Sequence, residues 1–485
     1  MSSNVSISYH NLNYPNELPF NPSIKYPEYK NGDISTTPNH IYNAIRNVLK
    51  FQNLDFKNFD TEKWNPLKRY ITENDTVLIK PNFVYNINRF DSSLISTLTH
   101  PSIIRAVIDY VLLALNNTGK ISIADAPIQS ADFEQIIEKL KINEILNCVK
   151  KKTDTIIEVV DLRNEIVLKS SKIGITKKKM IKGDHSGYTV VDLGSRSELK
   201  NIEFEKFRVT NYNKDQMIKF HNEKNHQYVI SNIALNADTI INIPKLKVHK
   251  KAGITSSLKN LVGVIGSKDC LPHHRIGSIE EGGDEYQYKS HRKRLNSKLC
   301  DLIGKTTSSF RLFFLSSMRF IIKLSKSLVP YKDKYFFGSW WGNDTIPRTV
   351  VDINRIIEYS NQNGEMCDSK QRKILSIVDG IVIGENEGPI STTPRILGAI
   401  IVGESRPVVD IVCSNLMGFD YKKIPLINYA LRKHKWPLSG NINNYRIILN
   451  DEEYSLDDFL EKEFICAVPS IGWQNHIEKT KSEFE

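Results

Sequence analysis

Residues 238–274 read DTIINIPKLKVHKKAGITSSLKNLVGVIGSKDCLPHH. An apolar run, Thr239–Ile243, stops at Pro244, which has no N–H to give to a strand ladder. Lys245, Lys247, His249, Lys250 and Lys251 follow, then Gly253 and a short helical pattern carrying Lys259 and Asn260. The order is strand, polar loop, helix start. In open α/β sheets such loops sit at the carboxyl ends of strands, where ligands bind. A segment this rich in lysine beside a histidine suits an anionic ligand and a proton transfer.

The same rhythm continues outward. Residues 76–79 read as a buried strand that ends in Lys80-Pro81-Asn82. Pro101–Leu115 has apolar residues at helical spacing with proline at its first position. Residues 120–124 form the next strand, ending in Asp125-Ala126-Pro127, and 131–140 are helical again. Downstream, 347–360 and 408–417 read as helices, the second closed by Gly418. Residues 373–378, 396–402 and Tyr445–Leu449 read as strands. Alternation of this kind predicts an α/β fold, a mostly parallel sheet or sheets flanked by helices.

Two insertions are expected in that core. A basic insertion at about 154–227 contains strands at 155–160 and Tyr188–Asp192 and a lysine-rich stretch, 169–182, that reads as a solvated hairpin. An amphipathic helical insertion at 304–338 is apolar but punctuated by Arg311, Arg319, Lys323 and Lys326. It can lie on an anionic membrane surface through 310–329, or pack on the domain or on a partner. The chain then divides into an N-terminal extension packing on the core (1–72), a first core half (73–303), the helical insertion, a second core half (339–470) and a charged tail (471–485).

The totals allow one large α/β domain with insertions, or two to three smaller ones, in 485 residues. The net charge of +11 favours anionic partners, but it is spread over a Lys- and Asn-rich chain. No specific nucleic-acid binding is expected. None of the six cysteines forms a C-x-x-C pair, so zinc-ribbon and iron–sulphur spacing is missing and scattered thiols of a reducing compartment are expected. There is no secretory pattern at the N-terminus and no apolar run of about 18 residues. A cytoplasmic protein is expected, with peripheral membrane contact through the helical insertion. G-x-x-x-x-G-K-[ST], H-E-x-x-H and G-x-S-x-G do not occur, which argues against P-loop, zincin and α/β-hydrolase chemistry.

The candidate site gathers residues just past the strand ends. Lys80 offers a cation and Asn82 a donor and an acceptor, or the two close a turn. His100 precedes a helix-starting proline, where it contacts a ligand or simply caps. Asp125 could bind a metal or a ribose hydroxyl, or close an Asx turn; no G-x-G-x-x-G accompanies it, so dinucleotide binding is unsupported. In extended chain Lys245, Lys247 and His249 share one face, and crowding by lysines would keep His249 neutral, as a general base must be. Thr255, Lys259 and Asn260 at the helix start would cradle an anion. Catalytic roles fall to His249, Lys247 and Lys259, and substrate contacts to Lys80, Asn82, His100, Lys245, Thr255 and Asn260. Asp379, Glu385 and Glu387, with Asp125, are the candidate ligands of a divalent metal, the loop 384–389 being read as an acidic turn. Asp410 would complement the dipole of its own helix. Isomerase- or racemase-type proton abstraction and carboxylate or phosphate group transfer both fit. Non-catalytic binding of an anionic metabolite or metal complex is the alternative.

Five ordered strings resemble the domain of unknown function 362 family: IKPN (79–82) with THP (99–101), KLKVH…TSSLKNLVG (245–263), GNDTIPRTVVDINR (342–355), DGI…GENEGP (379–389) and RPVVD…LMGFD (406–420). The resemblance spans residues 75–430 and implies a bacterial or archaeal protein of largely unassigned chemistry. Some members carry ferredoxin-type cysteine clusters; this chain lacks one, so no iron–sulphur cluster is carried over. A more distant likeness, an analogy only, is to the nickel-pincer lactate racemase family, through His249, Lys259 and the pair His273-His274.

Overall fold

The computed structural model describes residues 3–29, 32–91, 93–169, 176–209, 212–306, 308–324 and 335–479. Eleven strands form the main sheet. They are β1 (Ser3–Tyr9), β2 (Thr76–Pro81), β3 (Lys120–Asp125), β4 (Ile156–Asp161), β5 (Thr239–Ile243), β6 (Lys245–His249), β7 (Gly253–Thr255), β8 (Lys373–Glu387), β9 (Ser391–Gly403), β10 (Tyr445–Leu449) and β11 (Glu452–Ser455). Their order is β11-β10-β1-β9-β8-β5-β2-β3-β4, with β6 beside β8 and β7 beside β6. The run β8-β5-β2-β3-β4 is parallel. The hairpin β8–β9 and the pair β1–β9 are antiparallel. The expected α/β architecture is therefore present, as a mixed but mostly parallel sheet.

The central strands bury both faces, which is why they read as unbroken apolar runs rather than as alternation. Val77 and Ile79 of β2, Ile241 of β5 and Ile377 of β8 face one core, with the helices His40–Phe51, Pro101–Leu115 and Ile142–Lys150. Leu78, Ile240 and Val378 face the other, with the helices Thr345–Tyr359 and Arg406–Leu416. Helix boundaries follow local chemistry. His100 caps Pro101–Leu115, its ring accepting from the Ser102 N–H, and Gly418 takes φ +76 just past Arg406–Leu416.

Three segments depart from expectation. Residues 245–249, read as a polar loop, are strand β6: Pro244 ends pairing with β2, but the chain runs on in extended form and finds new partners in β8, Lys245 opposite Asp379 and Lys247 opposite Gly384. The acidic turn at 384–389 is largely strand, because β8 continues to Glu387 and the hairpin pairs through to Ser391. Ser3–Tyr9, in the stretch expected to pack on the core, is a strand within the sheet, between β9 and β10. The lysine-rich stretch does form a hairpin, Glu165–Lys169 with Thr176–Met180; 170–175 lie outside the described residues. So do 325–334, the end of the expected amphipathic helix, which is described as Ser309–Leu324. Among the described residues no helix is long and apolar enough to cross a membrane.

Candidate functional site

From β2 the chain crosses through Pro101–Leu115 to β3 and then β4 on one side; β5 lies on the other side of β2 and leads to β8. The strand order reverses between β2 and β5, and such a switch point opens a crevice at the carboxyl ends of the strands. A cavity of about 230 Å³ lies there. Its wall is made by residues just past β2 (Asn82) and at the end of β3 (Asp125), by β6 (Lys247, His249), and by Thr255 and Lys259 around the short helix Ser257–Asn260.

A buried polar network fixes the floor. Asn82 accepts from Lys247 Nζ at 2.7 Å and donates to Asn260 Oδ1 at 2.8 Å. Asn260 in turn donates to Asn242 Oδ1 and to the Lys80 carbonyl, at 2.8 and 3.1 Å. The short helix is held from outside. Asp410 accepts from the Ser257 and Leu258 N–H groups at 2.7 and 3.3 Å, so it caps this helix and not its own, and burial pushes its carboxyl up to about 7. Lys80 sits behind the cavity. Its ammonium pairs with Asp125 Oδ1 at 2.7 Å, and Asp125 Oδ2 accepts from the Phe83 N–H at 2.7 Å. Gly263 packs directly on this pair; a Cβ there would lie 1.9 Å from Asp125 Oδ1.

Around the floor stand amines with little to neutralise them. Lys251, Lys259 and Lys268 line the cavity and make no ion pair among the described residues. Asp125, the carboxylate in the wall, is already committed to Lys80. Burial, then the neighbouring cations, lower the Lys251 and Lys259 amines to about 7 and burial lowers Lys268 to about 8. Lys247 is pushed well down by burial and by Lys245. Both cavity histidines are driven well below their usual range, His249 by burial and Lys259, His273 by burial and Lys251. The neutral rings are then oriented oppositely. His249 Nδ1 accepts from the Lys251 and Ala252 N–H groups, both at 3.1 Å, so its proton resides on Nε2. His273 Nδ1 contacts the Leu271 carbonyl at 2.7 Å. A carbonyl only accepts, so Nδ1 carries the proton and Nε2 keeps the lone pair. In this arrangement His249 presents an Nε2–H donor and His273 an Nε2 lone pair. Lys251 lies in the basic run of the 238–274 segment and His273 in the histidine pair of the racemase likeness; Lys268, in the same segment, carries no spacing that points to it.

The remaining expected residues gather elsewhere or disperse. Lys245, Lys247 and His249 do not converge, because the pairing with β8 is irregular between Lys245 and Lys247. Lys245 turns to Asp379 at 3.1 Å and to the Tyr14 hydroxyl at 2.7 Å. Tyr14 donates to Asp379 Oδ1 at 2.5 Å and stacks on His100 at 3.9 Å, while the His100 N–H reaches Asp379 Oδ2 at 2.9 Å. Burial and Lys245 hold His100 well below its usual range. This is a second closed cluster outside the cavity wall. Glu385 accepts from the Val468 N–H and Glu387 from the Ile471 N–H, at 2.6 and 2.8 Å, so they anchor the C-terminal segment. The four carboxylates expected round a metal thus have four separate sets of partners. Among the described residues no group of three or more His, Cys, Asp or Glu could hold a metal ion.

A family model, the domain of unknown function DUF362, matches residues 77–183 and 157–415. No curated protein matches the chain. A crystal structure of a Thermotoga maritima protein from a structural genomics consortium aligns with 80% of this chain and 60% of its own, at 10% identity and a TM-score of 0.33; the chain thus spans less than two thirds of that protein.

Two lysine variants separate the clusters. Lys245→Met strands Asp379 in the core and should cost about 3–5 kcal/mol in urea unfolding. Lys259→Met removes a repelling cation and should stabilise the ligand-free protein at pH 7. Three amines with lowered folded values bind fewer protons than the unfolded chain above pH 7, so ligand-free stability rises from pH 7 to 9. The Lys259→Met gain should shrink over the same interval. Equal losses for both variants at both pH values would contradict the assignment.

Proposed function

The chain belongs to the domain of unknown function 362 family, and we propose that it is an enzyme that binds a small carboxylate or phosphate at the sheet's switch point and moves a proton there. The observation that carries the reading is the cavity itself, where Lys247, Lys251, Lys259 and Lys268 surround one already committed carboxylate. An anion supplies the missing counter-charge. The Thr255 hydroxyl, buried and without a hydrogen-bond partner among the described residues, adds a donor to the same wall.

The opposed histidines support proton transfer over simple capture. His273 Nε2 accepts a proton from the bound substrate. The His249 Nε2–H meets the oxygen on which negative charge develops, and the lysine ammonium groups share that charge. Chemistry of isomerase or racemase type, at a carbon next to a carboxylate, uses all of these groups. Lys80 supports the floor from behind, and Asn82, in the wall, holds Lys247. A divalent metal would enter with the substrate rather than through the dispersed Asp379, Glu385 and Glu387.

Sulfate, phosphate and citrate should each raise the melting temperature of the wild type, and the double variant Lys251→Met/Lys259→Met should lose the shift. An unchanged shift would move the anion site elsewhere. Turnover is read by proton NMR in deuterium oxide, as loss of the signal next to the carboxylate across a panel of hydroxy, keto and dicarboxylic acids. His273→Gln should keep the thermal shift but slow exchange by about a hundredfold or more. Exchange unaffected by His273→Gln would remove it as the base.

A further inference from the structure

The helix Ser309–Leu324 turns its apolar side outward. Phe310, Phe313, Phe314, Phe320, Ile321 and Leu324 recur at three- and four-residue spacing and are 51–78% exposed. On an α-helix that spacing makes one stripe. The inward face carries Leu312, which is buried, and Arg319, whose guanidinium reaches Asn296 Oδ1 at 3.3 Å. The polar residue within the stripe, Ser317, returns its hydroxyl to the Phe313 carbonyl at 2.9 Å, so it offers little to water. A contiguous exposed stripe of this kind marks an interaction surface.

The neighbouring helix His291–Lys305, packed against it, presents Arg294, Leu295, Lys298, Leu302 and Lys305 outward. Across the two helices the sequence places eight lysines and arginines and one carboxylate, Asp301. That carboxylate is paired to Arg208 at 2.9 Å, on the protein side. Among the described residues Arg311 and Lys298 make no ion pair. Arg294 and Lys305 are paired from outside the hairpin, to Glu281 at 3.7 Å and Asp215 at 2.7 Å, which leaves Arg311 and Lys298 as the cations open to a partner. Aromatic side chains flanked by open cations match a surface that is apolar below and negatively charged above.

We propose that this helical hairpin docks the protein on an anionic lipid surface, with the phenylalanines and isoleucine entering the headgroup boundary and Arg311 and Lys298 on the lipid phosphates. None of these hairpin residues lines the lysine cavity.

The test is flotation of the full chain with vesicles of phosphatidylcholine alone or mixed with phosphatidylglycerol. Wild type should float with the mixed vesicles at low salt, and release as salt rises. Phe310→Ser/Phe314→Ser/Ile321→Ser should reduce binding by about tenfold or more with an unchanged melting temperature, since these side chains are exposed. Arg311→Glu/Lys298→Glu should reduce it similarly, on mixed vesicles only. Absence of flotation at low salt would overturn the proposal. So would a wild-type dimer, seen by sedimentation without lipid, that dissociates in the serine variant: the stripe would then serve a second copy of the chain.

Discussion

The five lysines that line the cavity, Lys247, Lys250, Lys251, Lys259 and Lys268, crowd round one committed carboxylate, and the low polarity of their surroundings amplifies the repulsion between their amines. The fold keeps them together because they ride on elements fixed for other reasons. Lys247 is on a strand paired to β8, and Lys259 is on a short helix capped by Asp410 from a different helix. Neither position depends on where the ammonium would rather be. The sheet thus bears an electrostatic cost, which in the proposed function a bound anion would remove, as in a site that trades stability for binding.

The chemistry of the floor is consistent with that purpose. Asn82, Asn242 and Asn260 form a chain of neutral amides. They satisfy buried donors and hold the Lys247 amine with a neutral acceptor, where an aspartate would fill the site with an internal counter-ion. The aspartate that is present, Asp125, is held back by Lys80 and by the Phe83 N–H. Gly263 lets the backbone approach that pair closely. The second cluster of Tyr14, His100, Lys245 and Asp379 is internally balanced, each charge met at hydrogen-bond distance. Balance there and imbalance in the cavity are what single out the cavity as the proposed binding site.

Much of the fold and the site was legible in the chain. The strand endings at Lys80-Pro81-Asn82 and Asp125-Ala126-Pro127, and the helix Pro101–Leu115, could be read because proline and apolar runs act locally. Asn82, Asp125, Lys247, His249, Thr255, Lys259 and Asn260 do line one cavity. What could not be read depends on partners remote in sequence. Lys245 leaves the face it should share with Lys247 because β8 pairs irregularly with β6. Glu385 and Glu387 looked like ligands because nothing near them in sequence shows the N–H groups of Val468 and Ile471. The opposite tautomers of His249 and His273 are set by backbone groups one to three residues away, but only once the turns that aim them exist.

Calorimetry of sulfate binding at pH 8 in two buffers of different ionisation enthalpy tests the crowded-lysine cavity most directly. Sulfate has no proton of its own to exchange there, so any proton change belongs to the protein. Amines lowered to about 7 or 8 in the free cavity must regain charge around the anion. Net proton uptake should therefore accompany binding, and Lys259→Met should reduce it. Sulfate binding with no proton uptake, or uptake that Lys259→Met leaves untouched, would contradict a cavity of crowded, partly neutral lysines.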